Sequence, residues 1–129
     1  MSLPAKSLVA VVDDESRVLE ALEDLLESAG YEVRLFGSAE QFLNAGAVAE
    51  VDCVISDIGM PSTDGFLFQQ TVGRVRPALP VILITGRHEF TTGKHEAARG
   101  GRPLLEKPLD AQKLLATISS ELKASNTRK

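Results

Sequence analysis

The sequence is short of cysteine, tryptophan and long apolar runs, and each shortage excludes a class of protein. The single cysteine, Cys53, cannot form an internal disulfide, so the pattern of a secreted disulfide scaffold is missing. Without tryptophan and with 5% aromatic residues, stacking platforms for single-stranded nucleic acid are disfavoured. No apolar run reaches the roughly 18 residues of a membrane span, and the first residues lack a signal-peptide pattern. We therefore expect a cytoplasmic protein that does not associate with membranes.

The charge balance and the length narrow the possibilities further. The chain has 14 Lys and Arg against 18 Asp and Glu, a net charge of −4. This acidic balance argues against direct binding of nucleic acid. A chain of 129 residues with 43% hydrophobic residues is predicted to form one domain with a sizeable core. We expect that domain to span residues 7–123, and residues 124–129 to form a polar, frayed tail or the stump of a linker.

Short apolar runs rich in β-branched residues alternate with helical patterns along the chain. The runs are at 8–12, 33–36, 53–55, 81–84 and, more weakly, 104–105. Five strand–helix units in succession predict a parallel, doubly wound α/β sheet with helices on both faces. The expected architecture is a single flavodoxin-like domain with five strands in the order 2-1-3-4-5.

Helix boundaries are also visible in the sequence. Gly30 is placed to end the first helix, and Ser38 with Gln41 has the pattern of a capping box. Asp110 is placed to cap the last helix. Residues 90–99 carry little apolar surface, which predicts a short or loosely formed fourth helix.

Polar side chains follow four of the five predicted strands. Asp13 and Asp14 follow the first, Asp57 the third, Thr85 the fourth and Lys107 the fifth. Because the carboxyl ends of parallel strands meet at one edge of the sheet, these groups should gather there. Strands one and three are neighbours in the expected order, so Asp13 and Asp14 should lie about 4.8 Å, one strand spacing, from Asp57.

Three carboxylates at such short range repel one another and require a cation. An all-oxygen cluster without His or Cys suits Mg²⁺ and disfavours zinc. A carboxylate beside Mg²⁺ can attack phosphorus and form an acyl phosphate. Positioning and charge neutralisation are the main requirements of phosphoryl transfer, and the lysine and threonine could supply part of both.

The residues at this edge resemble the receiver domains of two-component response regulators. The matching strings are residues 11–15 (VVDDE), 56–61 (SDIGMP), 64–65 (DG), 84–86 (ITG) and 106–108 (EKP). The likeness covers about residues 7–123. It implies a phosphorylation-controlled signalling switch that assists only its own phosphorylation and dephosphorylation and is not otherwise an enzyme. The phosphodonor would be a sensor histidine kinase or a phosphotransfer protein.

The resemblance also implies a role for each site residue. Asp57 would be the phospho-acceptor, and Mg²⁺ would be held by Asp13, Asp14, Asp57 and the backbone carbonyl of Gly59. Lys107 and Thr85 would stabilise the phosphoryl group. The signal would pass to an output domain or a partner protein, and a homodimer is compatible with this role.

The chain departs from the family pattern at the position three residues before the lysine. Receivers usually carry Tyr or Phe there as a switch, whereas this chain has Leu104. A phosphorylation-independent interaction scaffold therefore stays open as an alternative. A Mg²⁺-dependent phosphatase with Asp57 as the nucleophile is another, although Gly59 offers no acid side chain.

Two further features are interpreted as structural. His88 and His95 are seven residues apart but lack a third ligand for a metal. Cys53 lies in a predicted strand and is expected to be an inert, buried thiol.

Overall fold

The computed structural model describes residues 7–57, 65–85, 104–106 and 109–128. Its centre is a parallel sheet in the order β2-β1-β3-β4-β5, which confirms the predicted fold. The strands are β1 (Leu8–Val12), β2 (Glu32–Phe36), β3 (Cys53–Asp57), β4 (Val81–Thr85) and β5 (Leu104–Glu106). Each strand lies within a residue or two of the apolar run that predicted it.

Helices connect the strands and cover both faces of the sheet. They are α1 (Ser16–Ser28), α2 (Ala39–Asn44), α3 (Gly65–Val75) and α4 (Ala111–Arg128), with a short 3₁₀ turn at Ala47–Ala49. The sequence pattern did not predict the 3₁₀ turn. Residues 90–99, where a loosely formed helix is expected, lie outside the described residues.

The helix ends use the capping residues that the sequence indicated. Gly30 follows α1 with φ of +97°, a left-handed conformation that favours glycine. Ser38 Oγ accepts the Gln41 N–H at 3.1 Å, while Gln41 Oε1 accepts the Gly37 N–H at 2.9 Å. Asp110 Oδ1 accepts the N–H groups of the second and third residues of α4 at 2.9 and 3.2 Å.

Side chains of successive strand residues point to opposite faces and build two cores. Ala10 and Val12 of β1 pack with the cluster that contains α2 and α3, whereas Val9 and Val11 pack with the cluster that contains α1 and α4. Strands β3 and β4 are buried along their whole length, as expected for central strands covered on both faces.

The carboxyl-terminal helix is longer than the sequence analysis predicted. Residues 124–128, expected to be frayed, continue α4 as far as Arg128. Ser125 is buried, and its hydroxyl donates a hydrogen bond to the Ala78 carbonyl at 2.9 Å. This contact ties the helix to the chain ahead of β4, and nothing in the polar composition of residues 123–129 signalled it. Among the helices that the structure describes, none is long and apolar enough to cross a membrane.

Candidate functional site

The carboxyl edge of the sheet brings together three of the polar residues selected from the sequence. Val12 is in register with Ser56, so Asp13 and Asp57 follow at the same level on neighbouring strands. Thr85 ends β4, which pairs with β3. Residues more than 70 positions apart in the sequence thus meet at one edge because parallel strands end there.

Asp13 is held firmly at the end of β1. Its backbone N–H donates to the Phe36 carbonyl at 3.1 Å, which continues the pairing between β1 and β2 by one residue. Its side-chain Oδ1 accepts the Glu15 N–H at 2.9 Å, just ahead of α1. Asp13 is 1% exposed, whereas Asp14 is exposed to solvent. One acid of the pair is therefore fixed in the protein interior and the other faces water.

Asp57 and Thr85 end the two central strands. Asp57 is in register with Ile84 and is 7% exposed, so its carboxylate lies just below the surface. Thr85 is buried and in register with Glu106, the last residue of β5. Lys107 follows Glu106 directly in the sequence but lies outside the described residues, as do Gly59, His88 and His95. Leu104, at the position where receivers carry an aromatic residue, begins β5 opposite Leu83.

The donor set at this edge suits a hard cation. Asp13, Asp14 and Asp57 offer carboxylate oxygens and no softer ligand. In the part of the chain that the structure describes, no group of three His, Cys, Asp or Glu side chains is arranged to hold a metal on its own. Mg²⁺ typically uses one or two carboxylates and keeps several waters, so the residues present fit Mg²⁺.

Cys53 lies at the opposite end of β3 from Asp57 and is buried, as the sequence predicted. Burial is the main cause that raises the pKa of its thiol to about 12, and the nearby Glu121 carboxylate raises it further. Burial, and to a lesser extent Cys53, also raises the pKa of Tyr31. A thiol with so high a pKa is a poor nucleophile at neutral pH.

A groove beside the site was not predicted from the sequence. It has a volume of about 370 Å³ and runs between α1 and the start of α4, with Val18, Leu25 and Leu109 in its apolar wall and Arg17 among its lining residues. α1 begins three residues after Asp13, and Leu109 follows two residues after Lys107. The partly exposed apolar residues of α1 were the available signal, but periodicity alone assigned them to the core.

Two buried polar residues behind the site were also not predicted from the sequence. Ser56 precedes Asp57 in β3, and Gln69 lies on the buried face of α3. No pattern in the sequence distinguishes a buried glutamine on a helix from an exposed one.

Comparisons with known proteins agree with this arrangement. The family model described as "Response regulator receiver domain" matches residues 9–119. The chain is 34% identical over 120 residues to the DNA-binding transcriptional regulator NtrC of Bradyrhizobium sp. (strain RP501 Parasponia), covering 93% of this chain and 25% of that protein. The chain spans between a quarter and about three fifths of the curated relatives it matches.

Solved structures share the fold over nearly the whole chain. The receiver domain protein from Clostridium thermocellum superposes with a TM-score of 0.86 at 28% identity, covering 95% of this chain and 99% of that one. A BeF3-activated DrrB receiver domain superposes with a TM-score of 0.80 at 27% identity, covering 92% and 99%. With the family model spanning most of the sequence and the sheet order matching, the chain belongs to the response regulator receiver domain family, the phosphorylation-controlled signalling domains of two-component systems.

Proposed function

We propose that this domain accepts a phosphoryl group on Asp57 from a sensor histidine kinase or a phosphotransfer protein. The observation that carries the proposal is the shared level of Asp13 and Asp57 at the ends of adjacent strands, with Thr85 on the next strand. The Asp57 carboxylate attacks phosphorus, a new C(O)O–P bond forms, and the bond between phosphorus and the donor nitrogen breaks. The electron pair of that bond leaves with the histidine ring of the donor.

Asp13, Asp14, Asp57 and the Gly59 carbonyl are the groups that we propose to hold Mg²⁺. The bound cation offsets the repulsion among the carboxylates and the charge that the phosphoryl oxygens bring. Asp13 is prepared for this role because its Oδ1 is fixed by the Glu15 N–H. The exposed Asp14 is suited to contact the cation through water, which Mg²⁺ commonly retains.

Thr85 and Lys107 are the proposed partners of the phosphoryl oxygens. Thr85 ends β4, so its hydroxyl can donate a hydrogen bond at the edge where Asp57 lies. Lys107 follows the last residue of β5, and its long side chain can carry a positive charge toward the same edge. Phosphorylation would add about −1.5 to −2 charges there and shift the balance between two surface conformations.

The apolar groove between α1 and α4 supports a protein phosphodonor. A donor histidine can reach the recessed Asp57 only if its protein approaches the sheet edge, and the groove adjoins that edge. A helix with an apolar face fits such a surface. We also propose a cytoplasmic location, a domain that begins near residue 7 and includes the whole of α4, and transfer of the signal to an output domain or a partner protein. A homodimer is compatible with this proposal, and direct contact with nucleic acid is not part of it.

The direct test is labelling by acetyl phosphate, read by intact mass. Wild-type protein should gain one phosphoryl group in Mg²⁺ and none in EDTA, and Asp57→Asn should gain none. Asp52→Asn is the matched control. Asp52 immediately precedes β3 at the edge of the sheet opposite Asp57, and its carboxylate accepts a hydrogen bond from the Leu8 N–H. Labelling of Asp57→Asn at the wild-type rate would contradict the assignment.

The groove has its own test. Ala21→Arg places a bulky charge on an exposed position in the groove. It should slow transfer from any phosphorylated sensor kinase that labels the wild-type chain, with labelling by acetyl phosphate unchanged. Equal transfer rates would exclude the groove as the docking surface.

A phosphorylation-independent scaffold is the second candidate function. The observation that favours it is Leu104, which begins β5 in register with Leu83 at the place where receivers usually carry a ring. If the domain is a fixed scaffold, binding to its partner should be the same for wild-type protein and for Asp57→Ala.

A further inference from the structure

Two buried oxygens on the α3 side of the sheet have no part in the proposed chemistry. Within the residues that the structure describes, Ser56 Oγ and Gln69 Oε1 are shielded from solvent and form no hydrogen bond. Ser56 is completely buried, and Gln69 is 6% exposed. A buried polar atom without a partner disfavours folding by roughly fivefold or more in the folding equilibrium. Native proteins usually satisfy such atoms with another protein group or with an internal water.

Both side chains face the same helix–sheet interface. Val54 belongs to the cluster that contains α2 and α3, and Ile55 belongs to the opposite cluster. Because strand side chains alternate, Ser56 returns to the face of Val54. Gln69 adjoins Phe68 and precedes Val72 by three residues, and both of these belong to the same cluster as Val54.

Gln69 and Phe68 occupy different sectors of the buried side of α3. The ring of Phe68 lies 5.5 Å from that of Phe42, so Phe68 faces α2. Gln69 is about 100° further round the helix on the same buried side, which turns it away from α2. Ser56 is in register with Leu83 of β4, also a member of this cluster.

Ser56 and Gln69 also lie at similar distances from the carboxyl edge of the sheet. Ser56 is one residue from the carboxyl end of β3, and Gln69 is the fifth residue of α3. A crossover helix begins near the edge at which its strand ends, so both residues lie close to the edge that carries Asp57.

We propose that Ser56 and Gln69 form a buried polar link between β3 and α3, closed by an internal water molecule, and that this link positions Asp57. The Ser56 hydroxyl can donate one hydrogen bond and the Gln69 amide oxygen can accept two, so a water between them satisfies both. The hydrophobic residues of this cluster cannot satisfy either group, whereas a water between the two can. The link would fix the height of β3 against α3 at the residue before the phospho-acceptor. This last part rests on the proposed function.

A double-mutant cycle tests the link without any phosphorylation. Ser56→Ala and Gln69→Leu each leave the remaining residue without its hydrogen-bond partner. Each should lower the folding equilibrium constant by roughly fivefold. The double variant should lose no more stability than the less stable of the two single variants, because neither polar group is then left unpaired. Ser125→Ala is the control: Ser125 is a buried serine bonded to Ala78, and its effect should add to that of Gln69→Leu. If both single variants are more stable than the wild-type protein and their effects on stability add, the link does not exist.

Two further measurements separate the parts of the proposal. Magnetisation transfer from water to the Gln69 side-chain amide should be seen, and coupling without that signal would replace the water by a direct hydrogen bond. Beryllofluoride binding in Mg²⁺ can be followed by amide chemical shifts. Gln69→Leu should raise the beryllofluoride concentration that gives half of the maximal shift by at least about threefold. Coupling with no such rise would overturn the positioning role. If the wild-type protein does not respond to beryllofluoride, the proposed function fails together with that role, while the cycle still decides the link.

Discussion

Asp13→Asn should stabilise the protein in the absence of divalent cations. Asp13 and Asp57 end adjacent strands at the same level and are nearly buried. Two charges about 4.8 Å apart at an effective dielectric of about 20 repel by about 3.5 kcal/mol. Asparagine retains the oxygen that accepts the Glu15 N–H, so the cap is preserved while the charge is removed. Since neighbouring groups offset part of the repulsion, we expect a gain of about 1–3 kcal/mol.

Urea unfolding followed by circular dichroism measures this gain. With an m value of about 2 kcal/mol/M, the midpoint in EDTA should rise by about 0.5–1.5 M. Mg²⁺ should stabilise the wild-type protein by about 2.7 kcal/mol at a hundredfold excess over its dissociation constant, and the variant much less. Asp52→Asn makes the same change in net charge at the other end of β3 and should neither gain stability nor lose its response to Mg²⁺. An Asp13→Asn variant that is no more stable in EDTA and still responds fully to Mg²⁺ would refute the reasoning.

Three other predictions concern the stability of the fold. Phe42→Ala should lower the free energy of unfolding in urea by about 3–5 kcal/mol, because the ring is buried and meets Phe36 and Phe68 edge-on at 5.3 and 5.5 Å. A loss no larger than that of Leu43→Ala, at the exposed neighbour, would contradict this prediction. Asp110→Ala should lower stability by about 0.5–2 kcal/mol in thermal melts, with Asp110→Asn close to wild type, because two N–H groups of α4 lose their acceptor; equal melting of all three proteins would exclude the cap. Between pH 9 and about 12 the Cys53 thiol ionises only in the unfolded chain, so its contribution to stability is full below pH 9 and falls by up to about 1.4 kcal/mol per pH unit as the pH rises. Cys53→Val should show a shallower alkaline loss, and identical profiles would contradict the raised pKa.

Much of the fold was predictable because local chemistry and the overall architecture agree. The strands coincide with β-branched runs, and Gly30, Ser38 and Asp110 end or begin helices as their side chains dictate. The meeting of Asp13 with Asp57 followed from topology alone, since parallel strands of a doubly wound sheet end at one edge. These features depend on rules that act over a few residues or on strand order.

The features that the sequence did not reveal depend on tertiary contacts. Polar residues around Ser125 look like a tail until the Ala78 carbonyl is placed beside the hydroxyl. Arg76 would pass for a surface residue, yet its guanidinium donates to the carbonyls of Val48 and Val51. These lie just after α2 and precede Arg76 by 28 and 25 residues in the sequence. Gln69 is buried although its residue type favours solvent. The roles of Lys107 and of the Gly59 carbonyl stay predictions, since both lie outside the described residues.

Whether distant acids and a hydroxyl form one phosphoryl-binding site can be measured most directly by amide chemical shifts on adding beryllofluoride and Mg²⁺. We expect saturable shifts concentrated at Asp13, Asp57 and Thr85, little change at Cys53 at the opposite edge, and no response in Asp57→Asn. Shifts absent from the wild-type protein, or centred away from the carboxyl edge of the sheet, would contradict it.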